Sequence, residues 1–212
     1  MIRRLLAALA LAGAAFLPVP TPAQQVVPFL EINPPLPTEA AGKFEVVEFF
    51  WYECPHCYSL EPRIEAWLRK LPKDVEFRRV PAMFNQQWAL SGRVYYTLEA
   101  IGELDRLHRP LFDAIHKGSL KITNMKQLQD WLERQKVDLA KFNTAFKSFA
   151  VESRMKRALE LTTASRIESV PVMMVNGRYL VSADTAKGDM LLVVDALIEQ
   201  SRKPLTSAAP KK

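Results

Sequence analysis

The pattern of hydrophobic and polar positions changes several times along the chain. The segment FEVVEFFWY, residues 44–52, is β-branched and aromatic with a charge, Glu48, at its centre, which is typical of a buried central strand. Apolar side chains then recur at helical spacing within residues 55–71, at Ile64, Trp67, Leu68 and Leu71. Alternation over residues 75–80 predicts a second strand.

Residues 84–165 have helical spacing throughout, so this block is predicted to be all-helical. Two of its helices have candidate capping residues, Asn124 and Asp138. Strand character returns over residues 170–181, on both sides of Asn176-Gly177, which is a strong signal for a tight hairpin. The closing helix has an apolar face made of Met190, Leu191, Val194, Leu197 and Ile198.

This order of elements predicts an α/β fold with an all-helical insertion. The α/β domain is assigned to residues 44–83 and 166–201, and the insertion to residues 84–165. The proline-rich arm, residues 24–43, cannot sustain a helix and is expected to run extended over the surface. The tail, residues 202–212, is expected to be flexible.

The first 23 residues have the organisation of a secretory signal peptide. Arg3 and Arg4 precede an apolar run from Leu5 to Leu17, and small residues follow as far as Ala23. This run is too short for a permanent transmembrane helix. We therefore expect an exported protein that begins near Gln24 after cleavage.

The formal charge of +6 overstates the basicity of the folded part. Four of the basic residues lie at the two ends of the chain: Arg3, Arg4, Lys211 and Lys212. The other Lys and Arg residues are interleaved with Asp and Glu, which indicates a mixed solvated surface rather than a nucleic-acid-binding patch.

Both cysteines of the chain lie in one motif, CPHC, at residues 54–57. A disulfide stabilises a fold more when it closes a longer loop, so a two-residue gap favours a redox role over a structural one. Zinc would need four ligands, and His108 and His116 lack metal-like spacing, so no metal is expected. A c-type haem site would need histidine after the second cysteine, where this chain has Tyr58.

The motif lies at a predicted strand-to-helix junction. Cys54 is at the helix start and Pro55 at the first helical position, where a missing N–H does no harm. The N–H groups of the first turn and the helix dipole favour a thiolate on Cys54, and His56 adds a polar or positive group. We expect Cys54 to exchange with external sulfur and Cys57 to resolve the mixed disulfide. A stabilised thiolate favours the reduced enzyme, so the disulfide form is expected to be an oxidant.

In this setting the sequence resembles the DsbA family of bacterial periplasmic thiol:disulfide interchange proteins. The likeness runs from about residue 45 to residue 200. It depends on three features: Glu48-Phe49-Phe50, the CPHC motif followed by Tyr58, and Val170-Pro171 before the segment VMMVNG. The resemblance implies a thioredoxin-like fold with a helical insertion and a periplasmic location.

The resemblance also implies roles for three further residues. Pro171 matches a cis-proline that faces the motif, although from the residues alone an ordinary strand-edge proline is favoured. Val170 would then lie beside the site, where its backbone can pair with a bound peptide. Glu48 matches a buried acid that relays protons for the second cysteine; a plain salt bridge or an exposed edge position is the alternative. The family places a lysine near this acid, and no match for it is obvious here. The neighbouring strand offers Arg78 and Arg79.

The predicted function is a protein dithiol:disulfide oxidoreductase that donates its Cys54–Cys57 disulfide to newly secreted reduced proteins, with no other cofactor. The resemblance implies reoxidation by a membrane disulfide oxidase of the DsbB type. A surface near Phe84 and Trp88 is a candidate contact, although aromatic residues there are more often core. A monomer is the default expectation.

Three alternatives stay open at this point. One is a reductase or isomerase that uses the same cysteines. The second is a peptide-binding chaperone with a vestigial disulfide. The third is a glutathione-dependent enzyme, which would not need Cys57. Substrate identities, the reduction potential and the residues that contact the reoxidising partner do not follow from the sequence.

Overall fold

The computed structural model describes residues 27–202. The predicted signal peptide, the start of the arm and most of the tail lie outside the described residues. The strands are Leu30–Glu31 (β1), Phe44–Phe50 (β2), Val75–Pro81 (β3), Val172–Val175 (β4) and Tyr179–Ser182 (β5). The helices are Pro55–Leu68 (α1), Gln86–Ala100 (α2), Leu104–His116 (α3), Met125–Arg134 (α4), Leu139–Phe146 (α5), Phe149–Ala164 (α6), Ala183–Ala186 (α7) and Met190–Arg202 (α8).

The strands form one sheet in the order β1-β5-β4-β2-β3. The central strand β2 runs parallel to β3 and antiparallel to β4, with Glu48 opposite Arg79 on one side and Met173 on the other. Successive side chains of a strand point to opposite faces. Val46 accordingly packs with α1 and α8, while Val47 packs in the larger core shared with the insertion.

The block between β3 and β4 consists of α2 to α6, as the sequence predicted. The predicted caps are present: Asn124 accepts from the N–H of Gln127 at the start of α4, and Asp138 accepts from two N–H groups of α5. Helix α3 lies against α1, so the insertion covers one side of the helix that begins with the CPHC motif. No helix among residues 27–202 is long and apolar enough to cross a membrane.

The hairpin between β4 and β5 is formed as predicted. Asn176 and Gly177 both have positive φ, 50° and 63°, and the N–H of Arg178 donates to the Val175 carbonyl over 3.0 Å. Leu36 of the arm lies against this turn, with its N–H 2.9 Å from the Gly177 carbonyl. The turn therefore anchors the proline-rich arm to the sheet.

Three local details differ from the sequence-based prediction. The arm contributes a short strand, β1, which pairs antiparallel with β5. Helix α1 ends at Leu68 rather than Leu71, because a residue that precedes proline, here Pro72, is disfavoured in helical conformation. The short helix α7 was not predicted; a capping box formed by Ser182 and Thr185 starts it.

Candidate active site

The two cysteines lie where the chain leaves β2 and enters α1. Cys54 is the N-cap residue, with extended backbone (φ −80°, ψ 116°), and Pro55 stands in the first turn. The Cys54 sulfur accepts from the backbone N–H of Cys57 over 3.4 Å. Both cysteines are free thiols, with Cys54 7% and Cys57 0% exposed. Of the two residues, Cys54 is therefore the one that keeps some exposure to solvent.

The surroundings shift the two thiol pKa values in opposite directions. The pKa of Cys54 is lowered to about 6, chiefly because the Cys57 side chain hydrogen-bonds to its sulfur. Burial opposes this shift, while the N–H groups of Cys57 and His56 and the charge of His56 add to it. Burial raises the pKa of Cys57 far above its usual range. At neutral pH the outer sulfur is thus a thiolate and the inner one a thiol.

Val170 and Pro171 lie next to the outer sulfur. The peptide bond between them is cis, as the resemblance implied, and the Val170 carbonyl oxygen is 3.5 Å from the Cys54 sulfur. With His56 they line a surface groove of about 410 Å³ that extends to Met190 at the start of α8. A backbone carbonyl beside a reactive sulfur, at the end of a groove, is an arrangement that can hold an extended peptide.

Glu48 lies on the face of β2 that α1 covers and is 0% exposed. Arg79 lies beside this acid, near which the resemblance implied a lysine, with its Nε 3.0 Å from Glu48 Oε2. Burial raises the pKa of Glu48 to about 8, with a further contribution from the charge of Glu61, and Arg79 only partly opposes the shift. Arg78, the other candidate, pairs instead with Glu45 over 3.0 Å. A carboxyl group with a pKa of about 8 therefore lies near enough to the buried Cys57 for its charge to raise the pKa of that thiol.

Sequence reasoning missed two buried residues that connect to this acid. Glu61 accepts from Arg79 Nη2 over 2.9 Å, and its other oxygen is 3.3 Å from His108 Nε2. His108 Nδ1 is in turn 2.9 Å from the Tyr52 hydroxyl. A signal for Glu61 was available, since it follows Cys57 by four residues and so lies on the same face of α1. No sequence signal linked His108 to it, because the two lie on different helices.

His116, the other histidine of α3, supports the loop before the motif. Its Nε2 donates to the Tyr52 carbonyl oxygen over 2.8 Å, and its ring stacks on Tyr58 with 4.5 Å between centroids. Both histidines of α3 thus contact the segment that leads to Cys54. Within the described residues, no group of three or more His, Cys, Asp or Glu side chains is arranged to hold a metal ion.

An aromatic group flanks the motif on the side of α2. Trp51 stacks on Trp88 with 4.2 Å between centroids, and Phe84 contacts Trp88 at 4.6 Å. The backbone N–H of Cys54 donates to the Trp51 carbonyl over 3.1 Å. The residues suggested from the sequence, Phe84 and Trp88, therefore lie next to the active-site loop, with Phe84 38% exposed.

Comparison with known proteins agrees with this geometry. The family described as "DSBA-like thioredoxin domain" matches residues 75–191. The thiol:disulfide interchange protein DsbA of Azotobacter vinelandii is 41% identical over 211 residues, which covers 95% of this chain and 99% of the relative. The DsbA of Bordetella parapertussis is 42% identical over 203 residues, covering 94% and 97%.

Solved structures give the same result. The crystal structure of Pseudomonas aeruginosa DsbA superposes with a TM-score of 0.78 at 41% identity and covers 82% of this chain and 92% of that one. The oxidoreductase NmDsbA1 from N. meningitidis has a TM-score of 0.70 at 29% identity, covering 82% and 91%. The chain belongs to the DsbA family of thiol:disulfide interchange proteins, with a thioredoxin-like fold and the activity of a disulfide-forming protein oxidoreductase.

Proposed function

We propose that the reactive centre of this enzyme is the Cys54–Cys57 pair, and that the protein donates this disulfide to newly secreted reduced proteins. The observation that carries the proposal is the asymmetry of the two sulfurs. One is at a helix N-terminus with a pKa of about 6, and the other is fully buried behind it. This asymmetry suits a disulfide whose outer sulfur is attacked and later leaves as a stable thiolate.

The reaction proceeds in two exchanges. A substrate thiolate attacks the Cys54 sulfur of the oxidised enzyme; a substrate–Cys54 bond forms, the Cys54–Cys57 bond breaks, and Cys57 takes up a proton. A second substrate thiolate then attacks the substrate sulfur of this mixed disulfide and expels Cys54 as a thiolate. The substrate loses two electrons and gains a disulfide, and the enzyme becomes a dithiol. No cofactor beyond the two cysteines takes part.

Glu48 serves as the proton donor and acceptor for Cys57. A buried thiolate is costly, so the leaving sulfur needs a proton as the first exchange proceeds. With a pKa of about 8, Glu48 carries a proton for much of the time at neutral pH and can also accept one when the dithiol is reoxidised. In the same scheme Pro55 and His56 tune the thiolate of Cys54.

The enzyme recognises the main chain and the cysteine sulfur of its substrate. The Val170 carbonyl accepts a hydrogen bond from an extended peptide segment next to the reacting cysteine, and the groove that begins at Pro171 holds that segment. Contact through the main chain gives little sequence preference, which suits an enzyme with many unfolded substrates.

Proteins of this family exchange disulfides with substrate proteins and with a redox partner. We assign the finer roles as follows. The protein acts as a monomer in the periplasm after removal of residues 1–23, and a membrane disulfide oxidase of the DsbB type restores its disulfide. The aromatic group of Trp51, Phe84 and Trp88 is the candidate contact for that oxidase.

The test is oxidation of a reduced, unfolded substrate protein by one equivalent of the oxidised enzyme. Wild type should transfer one disulfide per enzyme molecule. Cys54→Ala should transfer none, whereas Cys57→Ala, first activated as a mixed disulfide with a small thiol at Cys54, should trap a single-cysteine variant of the substrate in a complex that a reductant releases. Full activity of Cys54→Ala would overturn the proposal. A wild type that instead reduces substrate disulfides would favour the reductase alternative.

A further inference from the structure

A connected set of buried side chains extends from Glu48 away from the sulfurs. We call it the buried polar network; its members are Glu48, Arg79, Glu61, His108 and Tyr52. Each neighbouring pair lies within 3.3 Å. The set joins the central strand, the active-site helix and the insertion, because these residues belong to β2, β3, α1, α3 and the loop before Cys54.

The direction of each hydrogen bond follows from the chemistry of the groups. Burial lowers the pKa of His108, so its ring is neutral at physiological pH. Burial alone would raise the pKa of Glu61, but the hydrogen bond from His108 together with the charge and hydrogen bond of Arg79 lowers it, so Glu61 is a carboxylate and can only accept. The ring proton must then be on Nε2, facing Glu61, and Nδ1 accepts from the Tyr52 hydroxyl. The Tyr52 hydroxyl stays protonated because burial raises its pKa.

The Arg79 guanidinium lies between two buried carboxyl groups, those of Glu48 and Glu61, and its contacts with the two differ. Arg79 Nη2 makes a hydrogen bond to Glu61 Oε2, while His108 occupies Glu61 Oε1. By contrast, neither oxygen of Glu48 has a hydrogen-bond partner of good geometry within the described part of the chain, although Arg79 Nε is 3.0 Å away. The carboxylate with two donors competes better for the cation, and the other is left closer to its neutral form.

We propose that His108 is a positioning residue for disulfide exchange: it holds Glu61 against Arg79, and by doing so it keeps Arg79 from fully neutralising Glu48. The proton affinity of Glu48 then depends on a histidine of the insertion that touches neither sulfur. This inference deepens the proposed function, since it rests on Glu48 as the proton carrier for Cys57.

Other charged and titratable groups face the same two residues. Those around His108 are Tyr52 from the loop, Glu61 and Glu65 from α1, Arg79 from β3, Tyr95 from α2 and Arg109 from its own helix. Those around Glu48 are Arg79, Glu61, Tyr95, Cys54 and Cys57. The two cysteines can be removed from the titration by working with the disulfide form.

The test is the pKa of Glu48, measured from the carboxyl ¹³C shift of glutamate in the oxidised full chain and assigned with Glu48→Gln. His108→Leu removes the N–H donor to Glu61. It should lower the pKa of Glu48 by about one pH unit, because Glu61 then competes less well for Arg79. His108→Gln keeps an amide N–H that can reach Glu61 and should stay near wild type. Glu61→Gln removes the competitor outright and should lower the pKa of Glu48 at least as far.

A double-mutant cycle separates this role from a general disturbance of packing. If His108 acts through Glu61, adding His108→Leu to Glu61→Gln should leave the pKa of Glu48 where Glu61→Gln had put it. An unchanged pKa of Glu48 in His108→Leu would overturn the inference. So would a shift of equal size in both backgrounds, or a His108→Gln variant that behaves like His108→Leu.

The pH profile of substrate oxidation then tests the proposed function independently. Its midpoint should move to lower pH by the same amount in His108→Leu. If the pKa of Glu48 falls while the profile stays in place, the control of Glu48 by His108 is supported and the proton role of Glu48 is wrong. If neither moves, the inference itself fails.

Discussion

Cys57 should lower the pKa of Cys54, and the Cys57→Ala variant measures the size of this effect. The Cys57 side chain is the largest cause of the low Cys54 pKa of about 6. A hydrogen bond to a charged acceptor contributes on the order of 1.5–3 kcal/mol, and a thiol is a weak donor, so we take about 1.5 kcal/mol. This corresponds to about one pH unit. The thiolate fraction of Cys54 at pH 7 should fall from about 90% in wild type to about 50% in the variant.

The assay follows the ultraviolet absorbance of the thiolate and the rate of alkylation of Cys54, both as a function of pH, in reduced protein. Ser59→Ala is the matched control. The Ser59 hydroxyl donates to the His56 carbonyl over 3.0 Å, within the same turn, and makes no hydrogen bond to either sulfur. The titration of Cys54 in Ser59→Ala should therefore match that in wild type. A wild-type midpoint near 9 would refute the account of the helix N-terminus. A Cys57→Ala midpoint equal to that of wild type would refute the role given to the inner thiol.

Two further predictions concern stability. The pKa of Glu48 is about 8 in the folded protein and 4.5 in an ordinary carboxyl group. Between these two pH values the unfolded chain has lost the proton of Glu48 while the folded protein still holds it, so the free energy of unfolding falls as the pH rises. In the oxidised protein, Glu48→Gln should therefore gain stability relative to wild type between pH 5 and pH 8 in urea unfolding, and a pH-independent difference would contradict the buried neutral acid. At the hairpin, a Cβ on Gly177 would lie 2.1 Å from the Leu36 carbonyl oxygen at a φ of +63°, so Gly177→Ala should cost about 2–3 kcal/mol or more in thermal unfolding. Gly102→Ala is the control, because Gly102 has a φ of +77° but a Cβ built there meets no atom within 4 Å. This substitution should cost only about 1–2 kcal/mol. Equal losses of stability at the two sites would contradict the close approach of the arm to Gly177.

The order of elements and the helical insertion could be predicted because local patterns determine them. The run around Glu48, the cap residues Asn124 and Asp138, and the turn at Asn176-Gly177 each depend on residues near in sequence, and each formed as expected. The strand β1 could not be predicted in the same way. Its two residues form a strand only because β5 provides an edge for them.

The juxtaposition of the two cysteines was predictable for the same reason, since Cys54 to Cys57 form one turn of chain. The surroundings of Glu48 were not, because they depend on which residues face each other across elements. The choice between Arg78 and Arg79 follows from sheet register, which puts Arg79 opposite Glu48. The place of His108 follows from the packing of α3 against α1, for which the sequence offers no local signal.

The most direct test of the central claim is the equilibrium of the mature protein with a glutathione redox series. Tryptophan fluorescence serves as the readout, because the stacked rings of Trp51 and Trp88 flank the active-site loop, and thiol trapping checks the result. The account predicts a reduction potential well above the value of about −270 mV typical of thioredoxin, since a stabilised Cys54 thiolate favours the dithiol. A potential at or below that value would contradict a disulfide donor and favour a reductase.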